Sequence, residues 1–260
     1  MKKRFLLCFL LLGFGILLIY KVLLFSKQKQ IFKTYKEVRE ELLCRNTEKV
    51  SIAIIDSGIE KKYLSSCTKC IDFTGEKIKY DYTGHGTKMY EIIHSAKFGI
   101  APYTNVYILR VTNSVGDTEL SNVIHAIKWC VENDINIISF SMATSDDNKI
   151  LHKELENAYK SGIRIFSAVS NTSCYVSYPA AYDEVIGVYS GKKQRFYDNY
   201  HYFFVSLDKF EISENVSGNS PATAFCAAIA AYYLSNSNER NKNISNSTLL
   251  EKIQGVLEEC

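Results

Sequence analysis

The sequence predicts a three-layer α/β/α domain with a mainly parallel central sheet, and two observations support this. First, four short runs rich in β-branched residues are almost continuously apolar, as expected of strands buried on both faces of a parallel sheet. They are Val50–Ile55, Val106–Val111, Ile135–Met142 and Ile163–Val169. Second, stretches with helical periodicity separate these runs. Alternating strands and helices place helices on both faces of the sheet.

Two of the intervening stretches have a clear apolar face. Apolar residues recur at helical spacing in the first, at Leu120, Val123, Ile124, Ile127 and Val131. The second carries Leu151, Leu155 and Tyr159 four residues apart. Residues with this spacing lie on one side of an α-helix, so each stretch is predicted to be a helix packed against the sheet.

The composition is that of a globular protein without a nucleic-acid-binding footprint. The chain has 260 residues, of which 47% are hydrophobic and 23% are charged. Its formal net charge is +3, from 31 basic and 28 acidic residues. This balance argues against nucleic acid as a partner, because such proteins carry clustered basic residues.

Residues 1–25 are predicted to be an N-terminal transmembrane signal-anchor or a signal peptide. Three basic residues precede the uncharged run Phe5–Tyr20, and the apolar character resumes at Val22–Phe25 after Lys21. The total length suits a bilayer span, and no small-x-small cleavage pair follows. We therefore favour an uncleaved, single-pass anchor in the cell membrane with the remaining chain outside. Cleavage and secretion is the alternative.

Residues 26–47 are predicted to be an amphipathic linker between this segment and a domain at 48–260. The segment is polar, with apolar residues at roughly helical spacing: Ile31, Phe32, Tyr35, Val38, Leu42 and Leu43. This pattern favours a short helix.

Three residues carry the reactive groups that a hydrolase needs. Asp56 ends the first apolar run, where a parallel sheet presents functional groups. His85 lies between two glycines at the start of a helical pattern, and Ser220 precedes Pro221, which suits the first turn of a helix. Taken singly, each of the three has an ordinary structural explanation, such as a turn or a helix cap.

Together, the order Asp–His–Ser is that of the subtilisin triad. The chain resembles the subtilisin-like serine proteases over roughly residues 48–258. Four segments carry the resemblance: Ile54-Ile55-Asp56-Ser57-Gly58, Gly84-His85-Gly86-Thr87, Ser167-Ala168-Val169-Ser170-Asn171, and Ser217-Gly218-Asn219-Ser220 with Ala222-Thr223. The resemblance implies a serine endopeptidase with a polypeptide substrate. A catalytically inactive, peptide-binding relative is the alternative.

The resemblance also implies roles for particular residues. Ser220 would be the nucleophile, His85 the general base and Asp56 the group that orients His85. Asn171 corresponds to the side-chain donor of the oxyanion hole. The substrate cleft would be lined by a larger set: Ser139, Phe140, Ser141, Leu120, Val123, Ser170 and Ser177.

Some positions depart from the family pattern. Asn219 stands where Thr commonly precedes the nucleophile, and Pro221 follows it in place of Met. Ser141, Ser170 and Ser177 replace glycines that usually wall the specificity pocket. Three added hydroxymethyl groups predict a small or polar P1 side chain, while Leu120 and Val123 predict an apolar P4 side chain. The tether and the narrowed pocket favour a selective processing protease acting on secreted peptides or proteins.

No metal site is predicted with certainty. The family often binds structural calcium, and this is left open. Four acids are equally well explained as calcium ligands or as solvated loop residues: Asp72, Asp81, Asp146 and Asp147. Cys67 and Cys70 have zinc-like spacing without a second pair, so a local disulfide or two thiols are favoured over a metal.

Overall fold

The computed structural model describes residues 34–43, 49–77, 80–171, 176–190, 202–205, 217–236 and 244–258. Within them, one parallel sheet is built from seven strands: β1 (Ser51–Asp56), β2 (Lys69–Asp72), β3 (Asn105–Arg110), β4 (Ile137–Phe140), β5 (Arg164–Ala168), β6 (Val185–Ser190) and β7 (Phe203–Val205). The strand order is β2-β3-β1-β4-β5-β6-β7. The α-helices in the same residues are α1 (Tyr35–Leu43), α2 (His85–His94), α3 (Leu120–Glu132), α4 (Lys149–Lys160), α5 (Asn219–Asn236) and α6 (Asn246–Leu257).

Helices cover both faces of the sheet, which confirms the predicted three-layer architecture. Side chains of a strand alternate between faces. On β1, Ile52 and Ile54 pack in the core that includes α1, α2, α5 and α6. Ala53 and Ile55 pack in the second core with α3 and α4. The strand is buried on both sides, which is why its sequence is continuously apolar.

The four predicted strands are present as β1, β3, β4 and β5. The sequence analysis did not find β2, β6 and β7. β2 has four residues and β7 has three, and both lie at the edges of the sheet, so neither has a long apolar run. β6 does have an apolar run, but Gly187 interrupts it. A Cβ atom there would lie 2.5 Å from the Ala180 carbonyl oxygen, so glycine is required by close packing.

The buried face of α3 is rotated from the predicted one. Val123 and Ile127 are buried as expected, but their buried companions are Ala126 and Cys130. Leu120 is 39% exposed. The small side chains Ala126 and Cys130 allow the helix to lie close to the sheet, a preference that a count of large apolar residues does not detect.

The predicted linker contains α1, which packs into the domain core. Val38 and Leu42 are fully buried, and the Tyr35 ring lies 5.5 Å from the Phe225 ring of α5 between centroids. Arg39 donates hydrogen bonds from Nε to the Gly99 carbonyl at 3.1 Å and from Nη2 to the Ala96 carbonyl at 2.9 Å. The helix is therefore fixed to the domain by both apolar and polar contacts.

Arg110, at the end of β3, is a fully buried cation with two carboxylate partners. Its guanidinium lies 2.9 Å from Asp72 Oδ1 and 2.6 Å from Glu76 Oε2. Of the two alternatives that the sequence leaves open for Asp72, the solvated loop acid is therefore excluded. Burial alone would raise the pKa of Asp72, but hydrogen bonds from Thr74 and the Arg110 charge hold that pKa below its usual range.

No helix within these residues is long and apolar enough to cross a membrane. The predicted anchor, residues 1–25, lies outside the described residues.

Replacing Leu42 with Ala tests whether α1 is part of the folded domain. Leu42 is fully buried against the main core, so the substitution should lower the free energy of unfolding by about 2–5 kcal/mol. Leu43→Ala, at the half-buried neighbouring position, should cost less. Urea denaturation measures both. Equal and small losses would contradict the packing of α1 in the core.

Candidate active site

The carboxyl ends of the central strands form the edge of the sheet where the predicted catalytic residues meet. β1 has β3 on one side and β4 on the other, so the chain changes direction across the sheet at β1. Crevices at such positions are the usual ligand sites of open α/β sheets. Asp56 is the last residue of β1, and Ser141 follows the last residue of β4.

Asp56 and His85 form a direct hydrogen-bonded pair. His85 Nδ1 lies 2.8 Å from Asp56 Oδ1 and 3.0 Å from Oδ2. The Asp56 side chain is only 4% exposed, whereas the His85 side chain is 41% exposed. The hydrogen bond to Asp56 raises the pKa of His85 above its usual value; burial and the charge of Lys88 oppose this, while Asp81 adds to it. The outer face of the imidazole remains open to a substrate.

Two glycines explain how His85 reaches Asp56. Gly84 precedes α2 with φ of 75°, a left-handed conformation that favours glycine. A Cβ atom on Gly86 would lie 2.4 Å from the Gly58 carbonyl oxygen and 3.2 Å from Asp56 Cβ. The helix start can therefore pack directly on the turn after β1.

Ser220 is the second residue of α5 and is 7% exposed. Its Oγ donates to the Ser141 carbonyl oxygen at 3.5 Å. Between these described residues there is no hydrogen bond from Ser220 to His85. In substrate-free enzymes such catalytic hydrogen bonds are often long and tighten when substrate binds. The geometry therefore brings Ser220 to the same edge without showing an engaged nucleophile.

The first turn of α5 presents hydrogen-bond donors beside Ser220. Its first N–H groups have no partner inside the helix, and Pro221 has no N–H group. The Asn219 N–H donates to Asn171 Oδ1 at 3.0 Å. Because Asn171 accepts through its oxygen, its NH₂ group remains a donor. The Ser220 N–H and the Asn171 NH₂ are thus two donors beside a helix N-terminus, an arrangement that favours negative charge.

Two serines of the predicted specificity pocket are joined by a hydrogen bond, and two nearby serine hydroxyls are buried without one among the described residues. Ser177 is fully buried, and its Oγ accepts from the Ser170 N–H at 3.0 Å, which joins two walls of the pocket. The hydroxyls of Ser139 and Ser141 are also buried, and within the described part of the chain they have no hydrogen-bond partner.

Two residues predicted to line the cleft have side chains in the core. Phe140 and Val123 are each 4% exposed and belong to the core formed with α3 and α4. Neither side chain is therefore available to line the cleft. Leu120 is partly exposed at the start of α3 and is available to a substrate.

The sequence analysis missed the polar network under His85. Asp81 Oδ1 accepts from Ser57 Oγ at 2.9 Å and from the Gly84 N–H at 2.8 Å. Its Oδ2 accepts from the N–H and hydroxyl of Thr87, at 2.8 and 2.7 Å. Ser57 Oγ also lies 3.1 Å from Asp56 Oδ1. An acid just before a helix start, next to threonines, is the signal that identifies such a network.

Asp81 is therefore a hydrogen-bonded part of the site, which excludes the alternative of a solvated loop acid. Burial alone would raise its pKa, but the hydrogen bonds from Thr87, Ser57 and Thr83 outweigh burial and keep the pKa low. The described residues contain no group of three or more His, Cys, Asp or Glu that could hold a metal ion. Calcium needs several free oxygen ligands, and the carboxylates of Asp72 and Asp81 are already occupied by protein donors, so neither fits that role.

Comparison with known proteins identifies the family. A sequence profile described as "Subtilase family" matches residues 47–199. The chain belongs to the subtilase family. The matched residues include Asp56, His85 and Asn171 but end before Ser220. The assignment of Ser220 therefore depends on its own motif and its position in the fold.

Two relatives illustrate the similarity. The chain is 32% identical over 150 residues to the minor extracellular protease Epr of Bacillus subtilis (strain 168), which covers 54% of this chain and 23% of Epr. It is 29% identical over 151 residues to subtilisin DY of Bacillus licheniformis, covering 54% and 55% of the two chains. The matches thus span about half or less of the length of these subtilases.

A solved structure supports the fold. The crystal structure of a cold adapted subtilisin-like serine proteinase superposes with a TM-score of 0.61 at 22% sequence identity. The superposition covers 78% of this chain and 80% of the other. The three-layer subtilase architecture is therefore established for this chain.

The His85 pKa tests the charge arrangement of the site. Asp56→Asn should lower the pKa of His85, because the hydrogen bond to the carboxylate is the largest cause of its elevation. Asp81→Asn should lower it to a smaller extent. NMR titration of histidine-labelled protein measures both changes. Asp134→Asn is the matched control and should leave the pKa of His85 unchanged. Asp134 lies at the opposite end of β1, where its backbone carbonyl contacts Ser51. A His85 pKa that is unaltered by Asp56→Asn would contradict the pairing.

Proposed function

We propose that this subtilase is a serine endopeptidase that hydrolyses peptide bonds through an acyl-enzyme intermediate. The observation that carries the proposal is the Asp56–His85 pair at the carboxyl edge of the sheet. Ser220 lies on the first turn of α5 at the same edge, within hydrogen-bonding distance of the end of β4. The family membership and the names of the related proteases support the same chemistry.

In the acylation step, Ser220 Oγ attacks the carbonyl carbon of the scissile peptide bond while His85 Nε2 takes the hydroxyl proton. Asp56 keeps the Nδ1 proton of His85 in place and stabilises the imidazolium that forms. The carbonyl oxygen becomes negatively charged, and the Ser220 N–H and the Asn171 NH₂ stabilise it. The C–N bond then breaks, and His85 gives its proton to the leaving amine.

Deacylation repeats the same sequence with water as the nucleophile. His85 removes a proton from water, and the resulting hydroxide attacks the ester carbonyl of the acyl-enzyme. The bond to Ser220 Oγ breaks, and His85 returns the proton to it. The peptide acid is released and the free enzyme is restored. Because His85 must be neutral to act as a base, activity should rise with pH through the His85 pKa.

The serine-lined pocket supports a small or polar P1 side chain. The hydrogen bond between Ser177 Oγ and the Ser170 N–H occupies space between two pocket walls. The buried Ser141 hydroxyl adds a polar group without a partner among the described residues. A large aromatic side chain would have to break the first contact, at a cost of about 1–3 kcal/mol, whereas a small polar side chain could bond the Ser141 hydroxyl. Leu120 offers an apolar surface to the P4 side chain.

The biological role proposed here is selective processing of secreted peptides or proteins outside the cell. The restricted pocket supports selectivity, and the predicted N-terminal anchor would hold the enzyme at the membrane. The extracellular location stated in the name of Epr is consistent with this placement.

A peptide library varied at P1 and P4 tests the activity and the specificity together. The full chain should cleave substrates with Ala or Ser at P1 at least about tenfold more efficiently, in kcat/KM, than those with Phe or Tyr. Ser220→Ala should abolish cleavage down to a residual rate roughly 10³-fold or more below wild type. Ser121→Ala, an exposed serine of α3, is the matched control and should retain full activity.

Preferred cleavage after Phe or Tyr would contradict the pocket assignment while leaving the peptidase intact. Saturable peptide binding without cleavage would instead identify the chain as an inactive peptide-binding relative.

A further inference from the structure

Asn219, the residue before the nucleophile, is one of the positions at which the chain departs from the family pattern. It is 5% exposed, so its polar amide must be satisfied within the protein. It is also the first residue of α5, and so lies one position beyond the N-cap, where side chains most often bond the free N–H groups of a helix.

The Asn219 side chain instead connects α5 to two strands of the sheet. Its Nδ2 donates to the Val169 carbonyl at 2.7 Å and to the Ser170 carbonyl at 3.4 Å, just after β5. Its Oδ1 accepts from the N–H of Ser190, the last residue of β6, at 2.7 Å. The amide thus bonds through both its oxygen and its nitrogen across the junction of three elements.

The Asn219 backbone makes the contacts that face the site. Its N–H donates to Asn171 Oδ1 at 3.0 Å, and its carbonyl accepts from Thr223 Oγ1 at 2.8 Å inside α5. The first of these contacts determines the orientation of the Asn171 amide, because an NH₂ group cannot accept from an N–H donor. The Asn171 NH₂ is thereby left as a donor beside Ser220.

Gly218 permits the close approach of the Asn219 backbone to the Asn171 side chain. It has φ of 102°, and a Cβ atom there would lie 3.1 Å from Asn171 Oδ1. A side chain at position 218 would be strained and would also press on the amide that Asn219 orients.

We propose that Asn219 is a positioning residue that holds the nucleophile and the oxyanion donor in a fixed relation. Its side chain anchors the start of α5 to β5 and β6, and its N–H orients Asn171. This inference rests on the proposed function, because it assigns Asn171 the role of an oxyanion donor. Asn219 itself does not touch the substrate.

The contact set is specific to an amide. Asp has the shape of Asn and keeps the acceptor for the Ser190 N–H, but it loses both donors and places a negative charge against the Val169 and Ser170 carbonyls. Ala loses all three side-chain contacts. The two substitutions therefore separate anchoring to β5 from anchoring to β6.

Hydrogen exchange of the full chain tests the network without any need for activity. Asn171→Ala changes an exposed residue and should speed exchange of the Asn219 N–H by about tenfold, because its acceptor is removed. Asn219→Ala should speed exchange of the Ser190 N–H, whereas Asn219→Asp should leave it protected. An Asn219 N–H that exchanges equally slowly in wild type and Asn171→Ala would overturn the proposal.

Kinetics then tests the positioning role. Asn219→Asp should lower kcat by about 10²-fold with little change in KM, because the transition-state donors are misplaced. In subtilisin, loss of the side-chain oxyanion donor costs about 10²–10³ in kcat. Asn171→Ala should cost that factor in wild type but about tenfold or less in the Asn219→Asp background. Asn157→Asp, an exposed site on α4, is the matched control and should keep full activity.

Hydrogen exchange and kinetics together distinguish a failure of the positioning role from a failure of the proposed function. Equal losses from Asn171→Ala in both backgrounds would overturn the positioning role even if the chain is an active peptidase. Altered exchange in a chain that hydrolyses no peptide would instead reject the proposed function and keep the network.

Discussion

The hydrogen bond between the buried Asp56 carboxylate and the His85 imidazole is the interaction around which the site is organised. It joins the end of β1 to the start of α2, two segments that are 29 residues apart in the sequence. A buried carboxylate is costly unless it is hydrogen-bonded. Asp56 meets this requirement through His85 and through the Ser57 N–H, which donates to Oδ1 at 2.7 Å. The glycines around His85 are the sequence feature that makes the contact sterically accessible.

Polar networks on both sides hold this pair and Ser220 in place. Asp81 and Ser57 support the histidine from the helix start, and Asn219 joins the start of α5 to the ends of β5 and β6. In each network one side chain satisfies several backbone groups at the carboxyl edge of the sheet. Such networks stabilise a protein only when every member is satisfied, so they also restrict the site to one arrangement. The apolar α5 then anchors Ser220 to the core, since Ala222, Ala224 and Phe225 are all fully buried.

The sequence predicted the parts of the fold that depend on local patterns, and local motifs are also the basis of the proposed site. The buried strands were visible as apolar runs, and the three triad motifs were visible because each is short and contiguous. Asp81 and Asn219 were not assigned roles, because their partners are brought close only by the folded chain. For Asn219, the acceptors lie after β5 and the donor lies at the end of β6. The packing of α1 was missed for the same reason: its apolar spacing indicates a helix but does not identify the surface that covers it.

The edge strands and the buried face of α3 show a second reason why part of the fold could not be predicted from the sequence. A four-residue strand such as β2 is specified mainly by its pairing with β3 and by the buried Arg110–Asp72 ion pair. Its composition alone carries little signal. On α3, the buried stripe follows the small residues Ala126 and Cys130, because close approach to the sheet outweighs side-chain size.

Labelling with a fluorophosphonate probe tests most directly whether this arrangement activates Ser220. The probe reacts with a serine hydroxyl only when a neighbouring base removes its proton, so it reports the chemistry without knowledge of the substrate. We expect one labelled residue, Ser220, identified by mass spectrometry, with labelling lost in Ser220→Ala and in His85→Ala. Absence of labelling in a folded wild-type chain, or labelling that persists in Ser220→Ala, would contradict it.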